Sequence, residues 1–164
     1  MTMNNSRRGW LGTMPLLVPG LLAQLPTKAP DRGPALEPAL VKEFVAAAHG
    51  DLDKTSAMLL TQPALLNASW DWGGGDFETG LGGASHMGRK DIAEFLIGKG
   101  ARLDIFAAAM LDKLDIVKAM MAAWPGIENS LGPHRIPLLA HAKRGNAEAV
   151  SRFLLAPRTP SGGM

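Results

Sequence analysis

The sequence predicts an all-α protein in which about four similar helix-turn-helix units follow one another. Two observations carry this prediction. A small-residue helix that ends at an anchor residue, usually glycine, recurs along the chain, and an acidic residue stands three positions after each anchor. After each anchor, apolar residues recur at the spacing of a helix with one buried stripe. A single unit of this size cannot bury its apolar face alone, so at least three units must stack.

The chain has 164 residues, of which 46% are apolar and 20% charged, and it contains no cysteine. This length suits one domain with a real core. The absence of cysteine excludes disulfides, thiolate metal sites and a cysteine nucleophile. The surplus of two positive charges lies within residues 1–40, and residues 41–164 carry 13 basic and 13 acidic side chains. Because the body has no basic surplus, we expect no nucleic-acid binding.

Residues 1–26 contain a pair of arginines, Arg7 and Arg8, ahead of Trp10 and a weakly apolar run. This segment resembles a twin-arginine export signal, which implies a periplasmic protein in which a receptor recognises Arg7 and Arg8. Pro15 and Pro19 interrupt the apolar run, so we expect no stable membrane insertion. The alternative is a cytoplasmic protein whose two arginines are adjacent by chance.

Residues 27–38 are rich in proline and predict an extended linker, because each proline disfavours helix at the residue before it. The predicted repeat domain therefore covers residues 39–156, and residues 157–164 are expected to form a disordered tail.

Four anchors align within this domain, at spacings of 38, 24 and 33 residues: Gly50, Gly88, Asp112 and Gly145. We expect each anchor to adopt the left-handed backbone conformation that ends a helix and that glycine reaches without strain. Asp112 would occupy this position with a penalty. Replacing it by glycine is therefore expected to leave stability unchanged or to raise it by up to about 1 kcal/mol.

The second unit carries the clearest resemblance to a known family. It runs without a gap from Thr79-Gly80-Leu81 through Ala84, Gly88, Ile92 and Leu96 to Gly100-Ala101, and the fourth unit supplies Pro137-Leu138, Ala142, Gly145 and Val150. These residues resemble the ankyrin repeat. The resemblance implies an ankyrin-type solenoid of about four units with one shortened repeat. It also implies that protein partners dock on the face formed by the turns and inner helices.

Two units depart from the usual repeat length. After Gly100, the chain enters the next helix directly, and Asp104 is expected to cap its N-terminus. Between the first two units, the surplus residues lie in 69–76 and contain Trp70, Trp72 and three glycines. We interpret this segment as a flexible loop with aromatic tips, which either recognise a partner or fold back over the first unit.

Site chemistry is sparse along the chain. The four histidines, His49, His86, His134 and His141, show no spacing typical of metal ligands, so we expect no metal site, no cofactor and no catalytic residues. Asp71, Asp76 and Glu78 are expected to be solvated loop carboxylates.

The sequence favours a monomeric, non-catalytic protein-interaction module, whose partner it does not identify. The candidate partner-binding residues are Trp70, Trp72, Asp76, Glu78 and His134. Two alternatives stay open: a cytoplasmic ankyrin adaptor, and a metal-dependent enzyme that uses histidines with nearby carboxylates.

Overall fold

The computed structural model describes residues 33–157, and this part of the chain is mainly helical, which confirms the all-α prediction. The predicted export signal with Arg7 and Arg8, most of the linker and residues 158–164 lie outside the described residues. The regular elements, in chain order, are α1 (Pro38–Ala47), α2 (Leu52–Thr61), β1 (Ser69–Asp71), β2 (Phe77–Thr79), α3 (Gly80–Met87), α4 (Lys90–Gly98), α5 (Ile105–Met110), α6 (Leu114–Ala123), α7 (Leu138–Arg144) and α8 (Glu148–Leu155).

The eight helices between residues 33 and 157 form four consecutive pairs. The first helices of the pairs pack on one another, α1 on α3, α3 on α5 and α5 on α7, and each contacts the second helix of its own pair. Small residues make the close packing of α5 possible, since Ala107, Ala108 and Ala109 are fully buried. One apolar cluster is centred on Phe44, Ile92 and Leu96, and a second lies around Val117 and Val150.

Side chains ahead of three helices accept the backbone N–H groups that have no partner within the helix. The predicted cap of α5 is confirmed, because Asp104 accepts a hydrogen bond of 2.8 Å from Ala107 N. Asp51 caps α2 and Thr79 caps α3 in the same way. These caps fix where the helices begin.

The predicted anchor of the fourth unit is wrong by one residue. Gly88 and Asp112 adopt the left-handed conformation, with φ of 73° and 58°, as expected, but Gly50, the predicted anchor of the first unit, does not, so that prediction is also wrong. In the fourth unit Asn146 takes this conformation (φ 49°), whereas Gly145 has φ of −80°. Gly145 is needed for space, because a Cβ there would lie 2.0 Å from the Met110 carbonyl oxygen. The close approach of α5 to the end of α7 therefore explains this glycine.

Residues 69–79 form a β-hairpin, so residues 69–71, which were predicted to lie in a loop, form a strand instead. β1 and β2 pair antiparallel, with Trp70 opposite Glu78. The Asp71 carboxylate accepts hydrogen bonds from Gly73 N and Gly75 N and so holds the turn together. Trp70 is half-buried against the first apolar cluster, and Phe77 is the more exposed aromatic residue of the hairpin.

Candidate metal centre

Three histidines and one glutamate from distant parts of the sequence meet beside the hairpin. Glu78 lies in β2, and His86 lies in the last turn of α3. His49 follows the end of α1, and His134 lies in the segment that joins α6 to α7. One nitrogen from each histidine and one oxygen of the glutamate all lie within 4.8 Å of one another.

The Glu78 carboxylate is the centre of this cluster, and its side chain is fully buried. Its Oε2 lies 3.2 Å from His49 Nε2 and 3.5 Å from His134 Nε2, while Oε1 lies 3.0 Å from His86 Nε2. Oε1 has no hydrogen-bond partner among residues 33–157. Trp72 Nε1 donates a hydrogen bond of 2.7 Å to Oε2.

The backbone of α1 orients the ring of His49. His49 Nδ1 lies 2.8 Å from the Val45 carbonyl oxygen and can only donate to it, which in the neutral ring leaves the lone pair on Nε2. Gly83 makes room for the ring, because a Cβ at that position would lie 2.8 Å from it. His49 Nε2 therefore points at the cluster, where it lies 3.1 Å from His86 Nε2.

Asp76 holds His134 by both its backbone and its ring. One carboxylate oxygen accepts a hydrogen bond of 2.8 Å from His134 N, and the other lies 2.7 Å from His134 Nδ1. His134 and Arg135 both have φ of 57°, a conformation that is strained for residues other than glycine. Strain of this kind is often found at functional sites, where surrounding contacts maintain it.

The charges within the cluster stabilise one another. Burial alone would raise the pKa of Glu78, but the contacts from His49, His86 and Trp72 outweigh burial and lower this pKa to about 2. The contact with Glu78 raises the pKa of His49 above its ordinary value, although burial opposes the change. Hydrogen bonding from the His134 backbone, in turn, lowers the pKa of Asp76. Glu78 is therefore a carboxylate throughout the neutral pH range.

The donor atoms fit a divalent transition-metal ion. Zinc binds imidazole nitrogen and carboxylate oxygen at about 2.0–2.2 Å, which places tetrahedral ligand atoms about 3.3–3.5 Å apart. The contacts of 3.0–3.5 Å around Glu78 are close to these separations. Metal-bound histidines usually donate their second ring nitrogen to a carbonyl or carboxylate, as His49 does to Val45 and His134 to Asp76.

The fourth histidine, His141, lies in a separate buried position on α7. Its Nδ1 is 3.0 Å from Ser85 Oγ, and its Nε2 has no hydrogen-bond partner among residues 33–157. Burial, with a smaller contribution from His86, lowers the pKa of His141 to about 4. His141 is therefore neutral at pH 7.

The structure brings four of the five predicted partner-binding residues together, in roles that the sequence did not indicate. Trp72, Asp76, Glu78 and His134 belong to the cluster or support it, whereas Trp70 packs on the apolar core. Glu78 was expected to be a solvated loop residue, and this is wrong because it is 1% exposed. It is therefore inaccessible to a partner protein, whereas Asp76, Trp72 and His134 keep exposed surface.

The expectation of no metal site rested on histidines that do not converge, and this premise is wrong for three of the four. His49 and His86 were missed as site residues. Successive ligand candidates along the chain are separated by 29, 8 and 48 residues: His49, Glu78, His86 and His134. None of these intervals is a known ligand spacing. No local signal in the sequence could have identified the cluster.

No protein-family model, curated protein or solved structure matches this chain. Across residues 33–157, the helices are too short or too polar to span a membrane.

Proposed function

We propose that this chain binds a divalent transition-metal ion of the zinc class at the Glu78 cluster. The observation that carries this proposal is the convergence of His49 Nε2, His86 Nε2 and the Glu78 carboxylate, at contacts of 3.0–3.2 Å, with His134 Nε2 beside them. Imidazole nitrogens favour zinc, copper, iron and nickel over magnesium and calcium.

The helix pairs would serve as the scaffold of this centre, in an ankyrin-like arrangement. Four consecutive pairs and the left-handed residues at Gly88, Asp112 and Asn146 support this interpretation. The ion would join α1, the hairpin, α3 and the segment before α7, so its binding would add to the stability of the fold.

Calorimetric titration of the chelator-treated protein with Zn²⁺ tests the proposal. We expect one ion per chain and a melting temperature that rises with zinc concentration. His49→Gln and Glu78→Gln should each weaken zinc binding at least about 10-fold, since each removes a donor atom. Glu43→Gln is the matched control, because Glu43 is an exposed glutamate that pairs with Lys54. The absence of saturable zinc binding would refute the proposal.

A second candidate function is the protein-interaction module that the ankyrin resemblance implies. Exposed apolar residues favour it, notably Phe77 at the hairpin, Leu131 near the metal centre and Trp124 after α6.

For the proposed export of this module, Arg7→Lys/Arg8→Lys should abolish periplasmic delivery while keeping the charge. Cell fractionation would measure this, and unchanged delivery would refute the export signal.

A further inference from the structure

His134 differs from the other three ligand candidates in how it is anchored. His49, Glu78 and His86 lie on or beside α1, β2 and α3, and α3 packs on both of the other elements. His134 lies in the connecting segment between α6 and α7, residues 131–137, none of which is buried. Because buried apolar surface is the main source of local stability, we expect this segment to open at a lower free energy than the helices do.

The connecting segment covers a surface on the first helices of the pairs. Gly132 lies against α5 and α7, since a Cβ there would be 3.0 Å from His141 Nε2 and 3.3 Å from Phe106. Pro133 lies against α3, since a Cβ at Gly82 would be 3.3 Å from the proline ring. Opening of the segment would therefore expose parts of α3, α5 and α7.

His134 Nε2 occupies the place of a fourth ligand atom. It lies 3.5 Å from Glu78 Oε2, close to the separation of about 3.3–3.5 Å between ligand atoms in a tetrahedral zinc site. It also lies within 4.8 Å of the donor nitrogens of His49 and His86. Asp76 contacts the opposite ring nitrogen, Nδ1, at 2.7 Å and so keeps Nε2 turned toward the cluster. Four protein ligands close a zinc site, as is usual in structural rather than catalytic sites.

The backbone that carries this ring is held in a costly conformation. His134 and Arg135 both have φ of 57°, and such a conformation persists only where surrounding contacts maintain it. A bond between the ion and the His134 ring is a contact of this kind, because it is lost when the segment opens.

We propose that His134 is the fourth ligand of the ion and that the ion acts as a latch, which holds the connecting segment closed over α3, α5 and α7. This inference rests on the proposed metal binding. When the segment opens, His134 leaves the ion, whereas His49, Glu78 and His86 stay in place on the packed elements. The concentration of zinc then regulates access to the covered surface.

Thermodynamic linkage makes this proposal quantitative. If the loss of His134 weakens zinc binding by a given factor, saturating zinc must lower the opening equilibrium of the segment by the same factor. Removal of this donor should weaken binding at least about 10-fold. Saturating zinc should therefore slow amide hydrogen exchange in the segment by about 10-fold or more.

The test measures hydrogen exchange and calorimetric zinc affinity on the full chain, after chelator treatment and with saturating Zn²⁺. The informative amides are those of Gly132, which donates to Ile136 O, and of His134, which donates to Asp76. His134→Asn removes the imidazole but suits the left-handed backbone. It should weaken zinc binding about 10-fold or more and abolish the effect of zinc on these amides. Arg135→Asn is the matched control, because it changes the neighbouring left-handed residue, which is not a ligand candidate, and it should behave as the wild type does.

The outcomes separate the latch from the metal proposal. If His134→Asn binds zinc as tightly as the wild type and zinc leaves exchange in the wild-type segment unchanged, the latch is refuted, while metal binding at a three-ligand site stands. Weaker zinc binding by His134→Asn without slower exchange in the loaded wild type also refutes it, since linkage requires both. An equal effect of zinc on the segment in both proteins would show that the ion stabilises the whole fold and not the segment through His134. If the wild type binds no zinc, both proposals fail.

Discussion

Two histidine environments lie on either side of α3, and only one of them contains a carboxylate. At the hairpin, His49 and His86 surround the Glu78 carboxylate. On the α7 side, His141 is fully buried, packs against the ring of Phe106, and has its one side-chain hydrogen bond among residues 33–157 with the neutral hydroxyl of Ser85. The pKa of His49 is raised, because of its contact with Glu78, whereas burial lowers the pKa of His141 to about 4.

The difference shows that burial alone does not decide the charge of a histidine in this fold. A buried carboxylate favours the imidazolium, and its absence leaves desolvation to favour the neutral ring. Only the first environment offers an anionic donor to a metal ion. The same residue type therefore supports a candidate metal centre in one place and a neutral, structural contact in the other.

Removal of the buried carboxylate should have the largest effect. Glu78→Ala takes away the acceptor for Trp72 Nε1 and the carboxylate that His49 and His86 contact. We expect the free energy of unfolding at pH 7 to fall by about 3–5 kcal/mol, the usual loss when one partner of a buried ion pair is removed. Urea denaturation measures this change.

Glu78→Gln separates charge from hydrogen bonding, because it keeps an acceptor for Trp72, and it should cost less than Glu78→Ala. Glu43→Gln should unfold at the wild-type urea concentration. A loss below about 1 kcal/mol for Glu78→Ala would contradict the central role of this carboxylate.

Acid should destabilise the protein through His141. Its pKa is about 4 in the folded state against 6.5 for the free side chain, so the unfolded chain binds the proton first as pH falls. The stability contributed by neutral His141 is complete above pH 6.5 and is lost between pH 6.5 and 4, by about 3 kcal/mol. His49 acts in the opposite direction, because its raised pKa adds stability that is lost as pH rises.

Urea midpoints between pH 4 and 7.5 test this difference. His141→Asn can still contact Ser85 but cannot titrate, so it should flatten the acid side of the profile. An unchanged acid slope in His141→Asn would show that another group causes the loss. Protonation of Glu78 affects stability at lower pH, because its pKa is lowered from 4.5 to about 2 in the folded state. The stability that this carboxylate contributes is lost as pH falls from 4.5 to about 2.

Loss of the indole donor should have a smaller effect on the Glu78 environment. Trp72→Phe keeps an aromatic ring beside His49 and His134 but removes the hydrogen bond to Glu78 Oε2. We expect a loss of about 1–2 kcal/mol, because this hydrogen bond has a charged acceptor. Trp70→Phe is the matched control for ring size. Equal losses in both variants would indicate that ring area, and not the N–H group, matters at position 72.

The smallest expected effect concerns a carboxylate on the α7 side, Asp112. Its oxygens accept hydrogen bonds from Ala149 N and Val150 N at the start of α8. The sequence predicts that Asp112→Gly is neutral or stabilising, but the lost cap should outweigh the relieved strain, with a net loss of about 0.5–1 kcal/mol. Asp112→Asn, which keeps one oxygen, should lose less. A gain in stability for Asp112→Gly in urea denaturation would show that backbone strain dominates.

Local patterns predicted the helices well, because the forces behind them act within a few residues. Asp104 caps α5 through a residue three positions later, and the stripe of Ile92 and Leu96 follows the helical period. The failures occur where a distant segment intervenes. Gly145 was predicted to have a left-handed conformation, but its φ is −80°. Glycine is needed at this position because a Cβ would collide with the carbonyl oxygen of Met110.

The sequence by itself determined the all-α class, the succession of helix pairs and the start of α5, since periodicity and capping are short-range properties of the chain. Only the tertiary structure decided which polar residues meet. The packing of α1 on α3 brings His49 into contact with His86, and the hairpin places Glu78 against both rings. Asp76 holds His134 beside this group. Residues 8 to 85 positions apart in sequence become neighbours through packing between elements, and no spacing along the chain records that convergence.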